Sequence, residues 1–218
     1  VLEGLNTAGF ISGYRGSPVG GFDQQLWRAK KFLEQNHIRF QPGLNEDLAA
    51  SAIWGSQQTN LHEGGKYDGV FAIWYGKGPG VDRCGDVFKH GNMSGPAKHG
   101  GVLLIAGDDH AAKSSTVPHQ SEYAFMDASI PVLNPAGLQD IVDYGILGFA
   151  MSRFSGCWVA FKTTAENMDS SASIDVSPDR VKISLPKFDM PEGGLSIRWP
   201  DDWIEQEHRL HQYKLNAV

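Results

Sequence analysis

Two adjacent carboxylates, Glu46 and Asp47, stand at the predicted start of a helix in the stretch QPGLNEDLAASAIWGSQQ. Asn45 before them is a favourable helix N-cap, and one acid in the first turn complements the helix dipole. The rest of this predicted helix, which extends to Leu61, is apolar on nearly all sides, and that pattern indicates burial. A buried carboxylate is costly unless it has a partner. We therefore expect at least one of these acids to bind a partner outside the helix.

A second group of ionisable side chains lies in the stretch GDDHAAKSSTVPHQSE, which follows a strongly apolar run. It contains Asp108, Asp109, His110 and His119, so a metal-dependent hydrolase centred on these residues is one alternative. Their spacing matches no metal-ligand signature, and we assign no metal ligand in this chain. The glycine-rich stretch GYRGSPVGG is neither a GxGxxG nor a Walker loop, and no GxSxG motif of a serine hydrolase occurs.

The elements that must position these residues alternate between strand and helix. Apolar runs predict strands at 7–14, 38–41, 67–75, 102–106, 131–133 and 158–162. Helical spacing predicts helices at 22–35, 45–61, 83–92, 121–128 and 138–154. This alternation predicts an α/β fold of three layers, α/β/α, with a mostly parallel sheet. Four polar, glycine-rich loops each follow a strand, so we expect them to meet at the carboxyl edge of the sheet, where ligands bind in such folds.

The last part of the chain has a different composition. From residue 177 onward, proline, aspartate and lysine are frequent, with a predicted strand at 181–185 and a predicted helix at 203–215. We interpret residues 1–176 as one domain. Residues 177–218 are interpreted as a linker and C-terminal extension that leads toward a missing next domain.

Composition limits the classes of function. The net charge is −6 with no basic stripe, so nucleic acid is not an expected partner. No segment is long and apolar enough to span a membrane, and there is no signal-peptide pattern. The two cysteines form neither a disulfide framework nor a CxxC pair, so the expected location is the cytoplasm. The chain does not begin with methionine and is expected to be a fragment of a longer protein.

Four stretches together carry a resemblance to a known family. They are TAGFISGYRGSPVGGFDQ, FQPGLNEDLAASAIWGSQQ, YDGVFAIWYGKGPGVDRCGDVFKHGN and GGVLLIAGDDHAAKSSTVPHQSE, which cover four loops in order. They resemble the amino-terminal domain of indolepyruvate ferredoxin oxidoreductase, a member of the 2-oxoacid:ferredoxin oxidoreductases. The likeness extends from about residue 6 to about residue 175.

The resemblance implies a thiamine diphosphate-binding fold in which this domain holds the aminopyrimidine ring. Members of that superfamily use a glutamate at a helix start to bind the ring nitrogen opposite the reacting amino group, and this position falls on Glu46. A carboxyl group sheltered from water can share a proton with a weakly basic ring nitrogen, and this proton transfer activates the cofactor. Asp47 points about 100° away around the helix and is assigned the dipole or capping role.

The resemblance also implies contacts in the other loops. Tyr14, Arg15 and Ser17 match the first loop, where relatives hold the 2-oxo acid, and a guanidinium such as that of Arg15 binds a carboxylate bidentately. Gly43, Tyr75 and Lys77 are assigned with Glu46 to the cofactor. The remaining candidates would face the reacting centre, where either histidine can relay protons; each is equally consistent with an ordinary loop hydrogen bond. These candidates are His110, Lys113, Ser114, Ser115, His119 and Gln120.

Other parts of the expected enzyme have no counterpart in this chain. There is no GDG motif followed by NN, which thiamine enzymes use for the diphosphate and Mg²⁺, and no cysteine cluster for a 4Fe–4S centre. The resemblance therefore implies that Mg²⁺, the iron–sulfur clusters, coenzyme A and ferredoxin bind elsewhere in the full enzyme. The chain alone is expected to be inactive and to form a dimer or an interdomain assembly through the helix after Glu46. A non-catalytic subunit with the same fold is a further alternative.

Overall fold

Six strands form one sheet in which every neighbouring pair is parallel. The structure, a computed structural model, describes residues 4–218. The spatial order of the strands is β2-β1-β3-β4-β6-β5. The strands are β1 (Thr7–Gly13), β2 (Ile38–Phe40), β3 (Gly69–Lys77), β4 (Val102–Asp108), β5 (Val132–Leu133) and β6 (Val159–Thr164). The predicted parallel α/β architecture is thus confirmed.

Helices cover both faces of this sheet. One face packs against α3 (Glu46–Gln57), α4 (Gly78–Arg83), α5 (Gly85–Ser94) and α6 (Glu122–Asp127). The other face packs against α1 (Gly20–Arg28), α2 (Lys30–Gln35), α7 (Leu138–Ser155) and α8 (Ala165–Met168). The chain ends with α9 (Trp203–Arg209), a wider helical turn (Leu210–Lys214) and α10 (Leu215–Ala217). The result is three layers, α/β/α.

Alternating residues of the central strands form two separate cores. On β3, Ala72 and Trp74 pack toward the α3–α6 layer, whereas Ile73 and Tyr75 pack toward the α1–α2 layer. This alternation follows from the period of two residues in a strand. Because both faces are covered, the central strands β3 and β4 are apolar almost throughout, as the continuous runs predicted.

Two local predictions were wrong. The stretch after Tyr75 was predicted as a loop, but β3 continues to Lys77 and α4 begins directly at Gly78. The predicted strand at 181–185 does not form, and those residues are irregular and mostly exposed. A strand needs a neighbour for its backbone hydrogen bonds, and both edges of this sheet, β2 and β5, lie elsewhere.

The segment 177–218 lies against the rest of the chain at several points. Arg180 pairs with Asp143 of α7, and Trp199 donates a hydrogen bond from its indole nitrogen to the carbonyl of Leu61. Lys214 donates a hydrogen bond to the carbonyl of Met93 near the end of α5. Among residues 4–218, no helix combines the length and the hydropathy that crossing a bilayer would require.

Candidate functional site

Glu46 is the first residue of α3 and lies at the carboxyl edge of the sheet. Asn45 caps the helix, because its side-chain oxygen accepts a hydrogen bond from the backbone N–H of Leu48 at 2.8 Å. The backbone carbonyl of Glu46 accepts a hydrogen bond from the indole nitrogen of the buried Trp74 at 3.0 Å. The start of α3 is therefore fixed both by its own cap and by the central strand β3.

The side chain of Glu46 is only 13% exposed, and α4 supplies the surface on which it lies. A side chain at position 80 would place its Cβ 2.4 Å from Cγ of Glu46, so Gly80 leaves the space that Glu46 occupies. Nε of Arg83 lies 4.0 Å from Oε2 of Glu46 and supplies a countercharge at the mouth of the site. Glu46 is thus sheltered on most sides yet still reaches solvent.

His119, in the loop after β4, packs against the same glycine-containing turn of α4 as Glu46. A Cβ at Gly78 would be 2.4 Å from Cβ of His119, and its Nε2 lies 3.2 Å from Oδ2 of Asp82. Its Nδ1 lies 3.2 Å from the carbonyl of Val117. Glu46 and His119 therefore contact the same helix two residues apart, at Gly80 and Gly78.

Lys77, the last residue of β3, connects the first and fourth loops. Its Nζ donates hydrogen bonds to the carbonyl of Ser114 and, at 3.1 Å, to the hydroxyl of Ser114. A side chain at position 16 would place its Cβ 3.3 Å from Cβ of Lys77, so the aliphatic part of Lys77 passes close to the first loop at Gly16. The structure brings Lys77, Ser114 and the first loop together, as the sequence predicted for loops at one edge.

Gly43 allows the second loop to fold against the first strand. Its N–H donates a hydrogen bond to the carbonyl of Gly13 at 2.9 Å. A Cβ at position 43 would be 2.6 Å from the carbonyl oxygen of Asn45 and 2.8 Å from Cβ of Ala49. The role of Gly43 in this structure is therefore close backbone packing that sets the position of α3.

The side chain of Tyr75 does not lie on the side of the sheet that carries Glu46. Its side chain is fully buried between β3 and α1, and its hydroxyl donates a hydrogen bond to Oδ2 of Asp23 at 2.7 Å. Burial, together with this hydrogen bond and the negative charge of Asp23, raises the pKa of Tyr75 far above its ordinary range. Tyr75 can therefore influence a ligand at this edge only through Asp23, and we withdraw it as a direct cofactor contact.

Of the first-loop candidates, only Arg15 makes a side-chain interaction within residues 4–218. Its guanidinium pairs with the buried Asp23. Tyr14 and Ser17 are exposed, and the backbone N–H of Tyr14 donates a hydrogen bond to the carbonyl of Tyr75 at 3.0 Å. These two residues are placed at the edge of the sheet but are not brought against Glu46.

The fourth loop is organised by Asp109 and leaves several candidates exposed. The carboxylate of Asp109 accepts hydrogen bonds from the backbone N–H groups of Lys113 and Ser114, and from the Ser114 hydroxyl. These bonds hold the pKa of Asp109 below its usual range. The Ser115 hydroxyl is shielded from solvent and has no hydrogen-bond partner among residues 4–218. The remaining candidates of this loop point to solvent: His110, Lys113 and Gln120.

The acids of this loop do not converge on a metal site. Asp108 is fully buried and accepts hydrogen bonds from the backbone and hydroxyl of Ser121, with Nζ of Lys162 at 3.6 Å. Burial raises the pKa of Glu122, but the hydrogen bond and charge of Lys162, together with a backbone hydrogen bond and the charge of His110, lower the pKa below its ordinary value. Within residues 4–218, no three His, Cys, Asp or Glu side chains are grouped as ligands for an ion. This arrangement gives no support to the hydrolase alternative.

Sequence reasoning missed five residues that shape this edge. They were not singled out because residue spacing does not show which side chains pair, and most of their partners are distant in the chain. An acid in the first turn of α1, eight positions after Arg15 of the first loop, was the one available signal. The five residues are Asp23, Asp82, Arg83, Glu122 and Lys162.

Cys84 and Cys157 are both buried and free. Burial raises the pKa of each thiol, that of Cys157 to about 11. Neither thiol is therefore expected to act as a nucleophile near neutral pH.

Two cavities are found away from Glu46. One, of about 860 Å³, extends along the edge strand β2, and the other, of about 380 Å³, lies beside the start of α7. Glu46 lines neither of them. No protein-family model matches this chain, and no curated protein matches it.

Proposed function

We propose that this chain is the pyrimidine-binding part of a thiamine diphosphate-dependent 2-oxoacid:ferredoxin oxidoreductase, acting on indolepyruvate or a related arylpyruvate. The observation that carries the proposal is the sheltered carboxylate of Glu46 at the start of α3, resting on Gly80 at the carboxyl edge of a parallel sheet. Ligands of open α/β sheets bind at that edge. A carboxylate kept from bulk water, but open on one side, suits proton exchange with a ring nitrogen.

The residues present fit an aminopyrimidine. Gly78 and Gly80 let His119 and Glu46 pack directly against α4, which brings a carboxylate and an imidazole to the same short helix. The unpartnered hydroxyl of Ser115 in the fourth loop offers a further polar group. In this proposal Glu46 holds the ring nitrogen, and thiamine diphosphate, when bound, supplies the carbanion-stabilising centre that decarboxylates the 2-oxo acid.

The chain's own residues would hold the proton and the loops. The carboxylate of Glu46 would exchange a proton with the ring, and Nε of Arg83 lies 4.0 Å from it as a countercharge. Lys77 keeps the loop after β4 in place through Ser114. His119 is held by Asp82 and is the histidine placed nearest to α4, which makes it the better-placed proton relay of the two candidates.

The rest of the active site would come from elsewhere in the assembly. We place the Mg²⁺, the diphosphate, the 4Fe–4S clusters and the coenzyme A and ferredoxin sites in a partner domain or subunit, within a cytoplasmic dimer. The exposed side of α3 is consistent with such a contact, because Leu44 is 87% and Leu48 52% exposed beside Glu46. Apolar side chains exposed next to a functional edge are typical of an interface.

The test is a Glu46→Gln variant of the complete oxidoreductase. We expect wild-type protein to bind thiamine diphosphate with Mg²⁺ in calorimetry and to convert a 2-oxo acid with ferredoxin and coenzyme A. Glu46→Gln should retain its fold by circular dichroism and lose turnover by at least about a hundredfold, the range for a lost acid–base group. The matched control is Glu63→Gln, which changes an exposed glutamate in the segment between α3 and β3.

Two results would overturn the proposal. The first is wild-type protein that binds no thiamine diphosphate. The second is a Glu46→Gln variant with turnover close to that of Glu63→Gln.

A further inference from the structure

A buried carboxylate beneath the first loop holds the guanidinium of Arg15. Nε of Arg15 lies 2.9 Å and Nη2 lies 2.7 Å from the same oxygen, Oδ1 of Asp23. The other oxygen of Asp23 accepts the hydroxyl of Tyr75 at 2.7 Å. The Asp23 side chain is only 2% exposed, whereas that of Arg15 is 57% exposed. Arg15 is thus anchored at its base and open at its tip.

The way in which Arg15 is held determines which of its donors remain available. A guanidinium is a planar fork with five N–H donors, and it can bind a carboxylate along more than one edge. Asp23 occupies the edge formed by Nε and Nη2. The other edge of the fork is formed by Nη1 and Nη2. Of these two nitrogens, Nη1 makes no hydrogen bond to residues 4–218. A second carboxylate can therefore bind end-on without displacing Asp23.

The anchor is stable for reasons of solvation. A carboxylate as buried as that of Asp23 is costly without partners, and here both of its oxygens are satisfied, one by Arg15 and one by Tyr75. Since α1 and β3 are core elements, the position of this carboxylate is fixed by the fold. The orientation of Arg15 is therefore set before any ligand arrives.

We propose that Asp23 and Tyr75 are positioning residues that orient Arg15 to receive the carboxylate of the 2-oxo acid at the carboxyl edge of the sheet. This inference rests on the proposed function. It adds an arrangement of side chains that distinguishes a 2-oxo acid from its uncharged ester. Arg15 contacts the substrate, and Asp23 acts only through Arg15.

The test compares a 2-oxo acid with its methyl ester in the complete enzyme loaded with thiamine diphosphate. Asp23→Asn should raise the KM for the acid by about tenfold or more, because a small misplacement of a positioning group is costly. The ester has no carboxylate to lose as CO₂ and serves only as a competitive inhibitor, so its inhibition constant and the kcat for the acid should change little. Tyr75→Phe should also raise the KM for the acid, but by a smaller factor. Asp143→Asn, which removes a carboxylate paired with Arg180, and Tyr67→Phe are the matched controls.

Arg15→Lys serves if Asp23→Asn does not fold, because Arg15 lies at the surface. Lysine keeps the charge but lacks the two-edged fork, so the selectivity for acid over ester should fall in this variant as well. Equal losses for acid and ester, or no loss for the acid, would overturn the inference while thiamine diphosphate binding remained intact. Absence of that binding in the wild type would instead overturn the proposed function, and this inference with it.

Discussion

At the scale of single residues, the site depends on side chains that are missing as much as on those present. Glu46 can occupy its sheltered position only because residue 80 has no Cβ, and His119 can approach α4 only because residue 78 has none. Neither glycine is required by backbone conformation, since neither has a positive φ. Their role in the structure is steric, because they let Glu46 and His119 pack directly against α4.

The steric role of Gly80 leads to a prediction. A Gly80→Ala variant would bring Cβ to 2.4 Å from Cγ of Glu46 and so displace the carboxylate. Alanine is a better helix former than glycine by about 1 kcal/mol, which offsets part of the clash. We expect thiamine diphosphate affinity, measured by calorimetry on the complete protein, to fall on the order of tenfold or more, with little change in thermal stability.

Gly85→Ala is the matched control for this substitution. A Cβ at position 85, the first residue of α5, would meet no atom within 4 Å. Equal cofactor affinity in the Gly80→Ala and Gly85→Ala variants would show that the position of Glu46 against α4 does not affect cofactor binding.

At the scale of elements, the start of α3 is the feature that places Glu46. Asn45 has an extended backbone (φ −154°, ψ 176°) and caps the helix through Leu48. Trp74 holds the same turn from β3 through the carbonyl of Glu46. The orientation of the carboxylate therefore depends on one local capping interaction and one contact with the sheet.

Asn45→Ala should lower the free energy of unfolding by about 1 kcal/mol, because one backbone N–H at the helix start loses its partner. Asn45→Gly should cost only a few tenths of a kcal/mol. Urea unfolding followed by circular dichroism measures both. If the alanine and glycine variants have the same free energy of unfolding as the wild type, the cap does not contribute to the stability of α3.

At the scale of the whole molecule, the C-terminal segment is attached by a buried lysine. Lys214 is 1% exposed, and its Nζ donates a hydrogen bond to the carbonyl of Met93 at 2.8 Å. Burial lowers the pKa of Lys214 to about 8, against an ordinary value of 10.5, and the nearby Arg209 acts in the same direction. The docking of this segment is therefore linked to pH.

The sign of this linkage can be worked out. Between pH 8 and 10.5 the unfolded chain keeps the proton that the folded chain loses at Lys214, so stability rises with pH. Above pH 9 the buried Cys84 and Cys157 oppose this rise, because their raised pKa values make the unfolded chain lose protons first. The free energy of unfolding should therefore increase between pH 8 and 9.

A Lys214→Met variant should lack this increase, which we expect to amount to the order of 1 kcal/mol over that interval. Urea unfolding at pH 7.5, 8, 8.5 and 9 measures the slope for each protein. Lys187→Met, which changes an exposed lysine of the same segment, should retain the wild-type slope. Identical slopes in all three proteins would show that the ammonium group of Lys214 is not buried in solution.

The sequence by itself determined the sheet and the edge at which the polar loops meet. Apolar runs such as Val102–Asp108 and helical periodicities such as Leu138–Ser155 are local patterns, and their alternation is sufficient to predict parallel strands. The placement of Glu46 at the start of α3 was equally local, because Asn45 is a strong capping residue next to an apolar helix. Helix boundaries, the loop expected after Tyr75 and the strand expected at 181–185 were wrong.

Only the tertiary structure decided which side chains meet. Asp23, Arg15 and Tyr75 are up to 60 positions apart, and nothing in the spacing of their residue types predicts that one carboxylate holds both partners. Burial likewise separated the fully enclosed Tyr75 from Lys77, two positions later on the same strand. Periodicity reports which face of an element a residue occupies, whereas contacts between elements depend on packing, which is a property of the whole fold.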